Sequence, residues 1–293
     1  MSSIQSLPCY LNGEFSTLDK ANISVMDRGF IFGDGIYEVV PVYHGRAFRF
    51  AEHMGRLERS LAEIRIPNLL SRDEWLALVN ELVTRHAQSL GQSVDTLNQL
   101  IYIQVTRGVA MRDHAMPADI KPTVFAMVNS LKAVPAADLE KGVRCVTEED
   151  FRWKKAHIKS TSLLGAVLSR QISADVGATE TIMFRDGCLS EAAASNVWVV
   201  KDGKVLGSPR DNLVLEGIRY GLIESLCQQE GIPFELRRVS KAEVFAADEL
   251  MLSSATKELL PVTLLDDSPV GDGHPGPIFK RLFARYQEAK AAA

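Results

Sequence analysis

The spacing of apolar residues along the chain changes rhythm several times, and each rhythm predicts an element. In IYEVVPVYHGRAFRF apolar and polar positions alternate with the period of a strand, and His44-Gly45 interrupts the run as a hairpin turn. Met54, Leu57, Leu61 and Ile64 then recur at helical spacing, so a helix follows the hairpin. Ser71 with Glu74 forms a capping box, and Trp75, Leu78, Val79, Leu82 and His86 mark one face of the helix it opens. On that apolar face His86 reads as a packed, hydrogen-bonded residue and not as a metal ligand. QLIYIQVTRG and KPTVFAMVNSL predict two more strands.

LKAVPAADLEKG breaks both periodicities around Pro135 and is the best linker, which divides the chain into domains 1–134 and 135–293. Beyond it the pattern predicts a strand near Val143 to Thr147, a helix striped by Leu164, Leu168, Ile172 and Val176, and strands flanking Asp186-Gly187 and Asp202-Gly203. Ile218, Leu222 and Leu226 stripe another helix, Ser240 with Glu243 caps a short one, and Phe279, Leu282, Phe283 and Tyr286 stripe the last. Both halves read as α+β, without the strand-helix alternation of a doubly wound parallel sheet.

Composition narrows the class. With 293 residues the chain is long enough for two modest domains, and 46% hydrophobic against 24% charged residues is an ordinary globular balance. A net charge of -4 and the lack of a Lys/Arg run offer no basis for a nucleic-acid or anionic-membrane partner. There is no signal-like start and no membrane-length apolar run, so a cytoplasmic protein is the expectation. The four cysteines form no C-x-x-C pair and the histidines stand apart, so no metal site is expected.

One motif invites a wrong reading. Gly271, Gly273 and Gly276 match G-x-G-x-x-G, but too little chain follows for the second strand and the acidic residue about 20 positions on that a dinucleotide site needs. A turn-rich loop is the better account. Phosphate-loop, nucleophile-elbow and zinc-protease motifs do not occur.

The residues do offer the parts of a carbonyl cofactor site: a lysine beside an apolar wall, an acid for a pyridine nitrogen, and donors for a phosphate. Lys159 follows Ile158 and precedes the Ser/Thr cluster that starts the Leu164 helix; on composition alone, a solvated surface lysine is the competing reading. Glu191 lies before a small-residue turn that enters a strongly apolar strand, where a carboxylate needs a partner unless it is merely a surface hairpin charge. Gly217, Ile218 and Arg219 open a helix whose N-H groups suit a phosphate, and Arg56 sits at the edge of a buried helical face.

Six segments in fixed order carry a resemblance: DRGFIFGDGIYEVV, YIQVTRGVAMRDHAMP, IKSTSLLGAVLSRQ, SEAAASNV, VLEGIR and DELMLSSATKELLPV. Over nearly the whole chain the sequence resembles the fold-type IV pyridoxal-phosphate aminotransferases, and within them the branch that acts on D-amino acids. The resemblance implies a two-domain architecture, with a small N-terminal α/β sandwich and a larger C-terminal mixed α/β domain that binds pyridoxal 5'-phosphate. It implies Lys159 as the Schiff-base lysine and proton shuttle and Glu191 as the partner of the pyridine nitrogen. Arg56, Gly217, Ile218, Arg219 and Thr256 would bind the phosphate. Tyr37, Arg112 and His114 would trap the substrate carboxylate, the last two reaching the neighbouring site of a homodimer. The implied reaction is ping-pong transamination between a D-alanine-like donor and a 2-oxoglutarate-like acceptor.

The chain departs from the family pattern at Ala255 and Arg219, both commonly threonine, and at Ala192 to Ala194, commonly small polar residues. Thr256 or Ser254 is left to replace the lost hydroxyl and Arg219 to add a cation. Branched-chain L-amino-acid transamination, amine transamination and aminodeoxychorismate cleavage are alternatives on the same scaffold, which FGDGIYEVV and the R-x-H pair disfavour. A catalytically silent binding protein and a dehydrogenase are the readings from other classes.

Overall fold

The alternating run and its turn form part of the first of two sheets. In the computed structural model, which describes residues 6–292, strands β1 (Pro8–Leu11) and β2 (Glu14–Thr17) precede a short helix α1 (Arg28–Phe32). Strand β3 (Gly35–Tyr43) follows, with its short partner β4 (Arg46–Ala47). His44 and Gly45 between them have φ of 50° and 77°, as a two-residue turn matched to strand twist requires. Helices α2 (Phe50–Glu63) and α3 (Arg72–Ser89) come next, then β5 (Asn98–Thr106) and β6 (Thr123–Ser130). The sheet is antiparallel throughout, in the order β2-β1-β6-β5-β3-β4.

The predicted stripes bury as expected in this region. Met54, Leu57 and Leu61 of α2 and Trp75, Leu78, Val79 and Leu82 of α3 share a core with Ile36, Val40, Ile101 and Ile103 of the sheet. The capping box of Ser71 and Glu74 is formed. His86 is buried, with Nδ1 2.8 Å from Gln99 Oε1.

The contacts gather the chain into two compact units. One comprises 6–132 together with Ile158–Leu163; the other comprises Ala133–His157 and Leu164–Ala292. The stretch read as a linker carries a helix of its own, α4 (Ala136–Lys141). Residues 158–163 lie along β3, with a bridge between Ile36 and Ser160 and a bond from Tyr37 N–H to Lys159 O of 2.9 Å.

The second unit holds β7 (Val143–Glu149), α5 (Leu164–Asp175), β8 (Glu180–Arg185), β9 (Cys188–Ala192), β10 (Asn196–Lys201) and β11 (Lys204–Gly207). It continues through α6 (Arg219–Gln229), β12 (Phe234–Leu236), α7 (Lys241–Phe245), β13 (Glu249–Ser254), β14 (Glu258–Leu265), β15 (Ser268–Pro269) and α8 (Pro277–Ala291). The sheet runs β12-β11-β10-β13-β14-β7-β8-β9, with β15 on β14, and is mixed: β7 is parallel to both β8 and β14, whereas β10 and β13 are antiparallel. Its core is built from Val197, Val199, Leu250, Leu252, Leu260, Val262 and their neighbours.

Two features of this unit go beyond what periodicity can tell. The apolar stripe of α5 faces outward: Leu164 and Leu168 are 72% and 51% exposed, while the residues the helix buries are Ser169 and Ser173. Their hydroxyls turn back to carbonyls of the helix, and Thr181 Oγ1 donates to Ser169 O at 2.6 Å, so small side chains let α5 sit close on β8. Helix α8 does follow the glycine loop, but its first N–H groups are already taken. Glu249 accepts from Ile278 N–H at 2.9 Å and from Phe279 N–H at 2.8 Å, so an internal carboxylate stands where a dinucleotide phosphate would bind. Among the described residues no helix is long and apolar enough to cross a membrane.

Candidate active site

In the first unit two of the other predicted residues, Tyr37 and Arg56, lie on the elements that hold the Lys159 segment. The extended segment pairs with β3, and this sets Lys159 Nζ 4.0 Å from the centroid of the Tyr37 ring, a cation–π distance. Tyr37 in turn stacks on Tyr102, with centroids 5.8 Å apart. Burial, with Tyr37 close by, pushes the Tyr102 phenol up to about 12. From the other side α2 offers Ser60, whose Oγ accepts the Lys159 N–H at 3.3 Å. One helical turn earlier is Arg56, so the lysine segment and Arg56 are served by one face of one helix.

Arg56 does not stand alone there. Its Nε and Nη2 donate to Glu38 at 2.6 and 2.9 Å, and His53 Nδ1 lies 2.8 Å from the same carboxylate. Glu38 and His53 are fully buried. Burial works against the carboxylate, yet the charge and hydrogen bonds of Arg56, joined by His53, hold Glu38 well below the usual carboxylate range. The arginine therefore faces a carboxylate that its own charge and hydrogen bonds keep ionised.

Arg112 and His114 lie on the loop between β5 and β6, exposed, and both reach the ring of Phe32 at the end of α1. The Arg112 guanidinium is 5.5 Å from its centroid and the His114 ring centroid is also 5.5 Å away. Arg112 sits in a bend, and the two side chains share Phe32 as a neighbour.

In the second unit Glu191, on β9, is 5% exposed, and its partner is one that the sequence did not single out. Arg152 Nη1 donates to Glu191 Oε1 at 2.7 Å, while its Nε and Nη2 both donate to Asp150 at 2.9 Å. Asn196 Nδ2 donates to Glu191 Oε2 at 3.2 Å, and Leu215 N–H is 3.3 Å from both oxygens. Burial pushes the Glu191 carboxyl up; Arg152 and the Leu215 N–H pull the other way, and the Asp150 charge adds to the rise. The available clue was the i,i+2 spacing of Asp150 and Arg152, which puts both on one side of extended chain.

Asn196 also ties this acid to the start of α6. Its Nδ2 donates to Leu215 O at 2.9 Å, and a Cβ on Gly217 would fall 2.0 Å from its Oδ1, so only glycine fits there. Helix α6 begins with no side-chain cap, which leaves its first N–H groups for a ligand. The Arg219 side chain is 2% exposed and its Nε donates to Tyr286 Oη at 3.0 Å on α8. What Arg219 brings to the helix start is thus its backbone N–H, while its guanidinium packs helix on helix.

The turn 255–257 lies at the same end of the sheet, because Asn196 pairs with Ser253 across β10 and β13. Thr256 is exposed at its tip, and Ser254 Oγ accepts from Lys257 N–H at 3.0 Å, an internal turn bond. Lys257 Nζ donates to the buried Glu180 at 2.7 Å. Ala192 and Ala193 are buried, and their N–H groups bond to Ser195 O and Thr181 O.

One unit thus holds a buried acid beside an uncapped helix start; in the other a lysine lies over an aromatic ring, on a segment that bonds to the helix carrying Arg56. The family profile of amino-transferase class IV matches residues 35–265, and the chain belongs to that family, whose members use pyridoxal phosphate. Among curated proteins it is 37% identical over 288 residues to the D-alanine aminotransferase of Staphylococcus haemolyticus, covering 97% of this chain and 99% of that one. It is 35% identical over 278 residues to the D-alanine aminotransferase of Bacillus licheniformis, with 95% of each covered. Among solved structures, the branched-chain amino acid aminotransferase of Escherichia coli superposes with a TM-score of 0.87 at 25% identity, covering 97% of this chain and 94% of that one.

Proposed function

We propose that the protein is a pyridoxal-phosphate-dependent transaminase acting between a D-alanine-like amino acid and a 2-oxoglutarate-like 2-oxo acid. The observation that carries this is the 35–38% identity to D-alanine aminotransferases along almost the whole chain, with Arg112 and His114 present and sharing Phe32. The residues suit the cofactor. Gly217 leaves a cradle that a Cβ would fill, the start of α6 has uncapped N–H groups for a phosphate, and Glu191 is a buried acid for a pyridine nitrogen.

When bound, pyridoxal phosphate supplies an electron sink and a carrier for the amino group. Lys159 would hold it covalently and, once released by substrate, move the proton at the substrate Cα. Glu191 would keep the ring nitrogen protonated, with Arg152 and Asn196 fixing its direction. Arg56, the N–H groups of Gly217, Ile218 and Arg219, and Thr256 would take the phosphate. Tyr37, Arg112 and His114 would orient the substrate by its carboxylate. The donor's 2-oxo acid leaves before the acceptor enters, hence ping-pong kinetics.

We place the enzyme in the cytoplasm as a homodimer in which Arg112 and His114 serve the partner's site; their exposure, next to exposed Met111 and Met116, supports this. Mixing Arg112→Ala and Lys159→Ala subunits tests it. Complementation in trans restores activity at one site of each mixed dimer, whereas action within one chain restores none. The substrate assignment is tested by supplying D- or L-alanine with 2-oxoglutarate and measuring pyruvate: the D isomer is turned over faster, and a faster L isomer overturns the reading. Branched-chain L-amino acids belong in the same panel, since the E. coli structural neighbour bears that name.

A further inference from the structure

We propose that Phe32, held in place by Arg28, is a positioning residue that sets substrate affinity through Arg112 and His114. This rests on reading that pair as the clamp for the substrate carboxylate.

The loop that carries the pair has no helix or strand of its own between β5 and β6. A loop of this kind cannot hold a two-pronged contact unless something rigid fixes it. Helix α1 is such an element. Asp27 caps it, accepting from Gly29 N–H at 2.8 Å, and the same side chain accepts from Thr123 Oγ1 at 2.7 Å. Gly33 ends it in the left-handed conformation, φ 65°, and the Gly33 carbonyl accepts from Thr161 Oγ1 and Ser162 Oγ at 2.9 and 3.0 Å. Both ends of α1 are therefore anchored to other parts of the first unit.

From this base Arg28, 4% exposed, reaches the loop. Its Nη1 donates to the carbonyl of Asp113, the residue between Arg112 and His114, at 2.5 Å, and its guanidinium lies 4.8 Å from the Phe32 centroid. Arg28 is itself held by Asp34, which accepts from its Nε at 2.8 Å and takes two further bonds from Arg107, at 2.8 and 3.0 Å. Arg107 Nη2 continues to Ile64 O at 2.6 Å, which ties the network to the end of α2. Burial raises the cost of the Asp34 charge, yet hydrogen bonds and charge from the two arginines hold its carboxyl below the ordinary range.

Phe32 is thus touched by Arg28, Arg112 and His114 at once. Its ring offers the two side chains of the pair a shared surface, while Arg28 fixes the backbone between them. The ring restricts where a guanidinium and an imidazole can settle, which is the preorganisation a carboxylate clamp needs.

The test uses the holoenzyme with Phe32→Leu, which keeps bulk and removes the ring, and Phe32→Tyr, which keeps the ring. KM for D-alanine rises on the order of tenfold in Phe32→Leu, as loss of two ring contacts implies. Turnover at saturation stays within about threefold, and Phe32→Tyr recovers most of the loss. Propanoate, a carboxylate without the amino group, weakens in parallel when its binding is followed by titration calorimetry. In an Arg112→Ala/His114→Ala background, Phe32→Leu has no further effect on KM, because its target is gone. If the double variant raises KM but Phe32→Leu alone does not, the positioning role is wrong and the clamp reading survives. If the double variant leaves KM unchanged, the clamp reading fails and takes the proposal with it. An equal fall in turnover and affinity that Phe32→Tyr does not rescue shows a merely structural residue and overturns the proposal.

Discussion

Two buried glutamates, one in each unit, each meet an arginine, and their carboxyls move in opposite directions. Glu38 is held far below its ordinary range and Glu191 is pushed above it. Burial penalises both charges. The difference lies in what the arginine is shared with: Arg56 gives Glu38 two bonds and His53 adds a third, whereas Arg152 gives Glu191 one bond and gives Asp150 two. A second anion beside the pair both divides the cation and repels the acid. The first arrangement locks a charge; the second leaves an acid that a positive ring nitrogen would stabilise.

The largest consequence concerns the locked site. Glu38→Gln removes the charge that faces a buried arginine and turns one of its two acceptor oxygens into a donor, and denaturant unfolding is expected to show a loss of about 3–5 kcal/mol. Glu191→Gln is expected to do the reverse: unfolding changes little, while turnover with D-alanine falls on the order of a hundredfold and the cofactor absorbance shifts. If the two variants exchanged these phenotypes, the contrast would be wrong.

Acidification gives a smaller effect with a definite sign. The Glu38 pKa is depressed in the folded chain, so its stabilisation is complete above the ordinary value of 4.5 and is lost as pH falls below it toward the folded value. Wild-type unfolding free energy should therefore fall through that range, and Glu38→Gln should flatten the slope. The smallest effect is expected from Asp150→Asn. With that charge removed Glu191 ionises more readily, so the acid limb of kcat/KM moves to lower pH while turnover at neutral pH stays within about threefold. An upward shift would contradict the role given to Asp150.

Much of this molecule is legible in its sequence. The His44-Gly45 turn, the capping boxes of Ser71 with Glu74 and Ser240 with Glu243, and the stripes of α2, α3 and α8 are local, so a few neighbouring residues suffice to read them. Helix α5 shows the limit of that method. Its period was right, but a period cannot tell which face meets the core when the small residues, Ser169 and Ser173, permit the closer approach. The partners of the site residues were likewise hidden, because Glu38 finds Arg56 across a hairpin and Arg152 finds Glu191 across 39 positions.

By itself the sequence determined which chemistry was available: Lys159 beside an apolar residue and a serine-rich helix start, an acid at Glu191, a glycine at a helix start, and an R-x-H pair, in the order that the family shares. Tertiary structure alone decided what each of these groups touches. It set Lys159 over the Tyr37 ring, divided Arg152 between two carboxylates, turned the Arg219 side chain to Tyr286 and gathered Arg28, Arg112 and His114 around Phe32. The reason is physical. Propensity and periodicity act over a few residues, whereas the charge state of a buried acid depends on every group within several ångströms, wherever along the chain it arises.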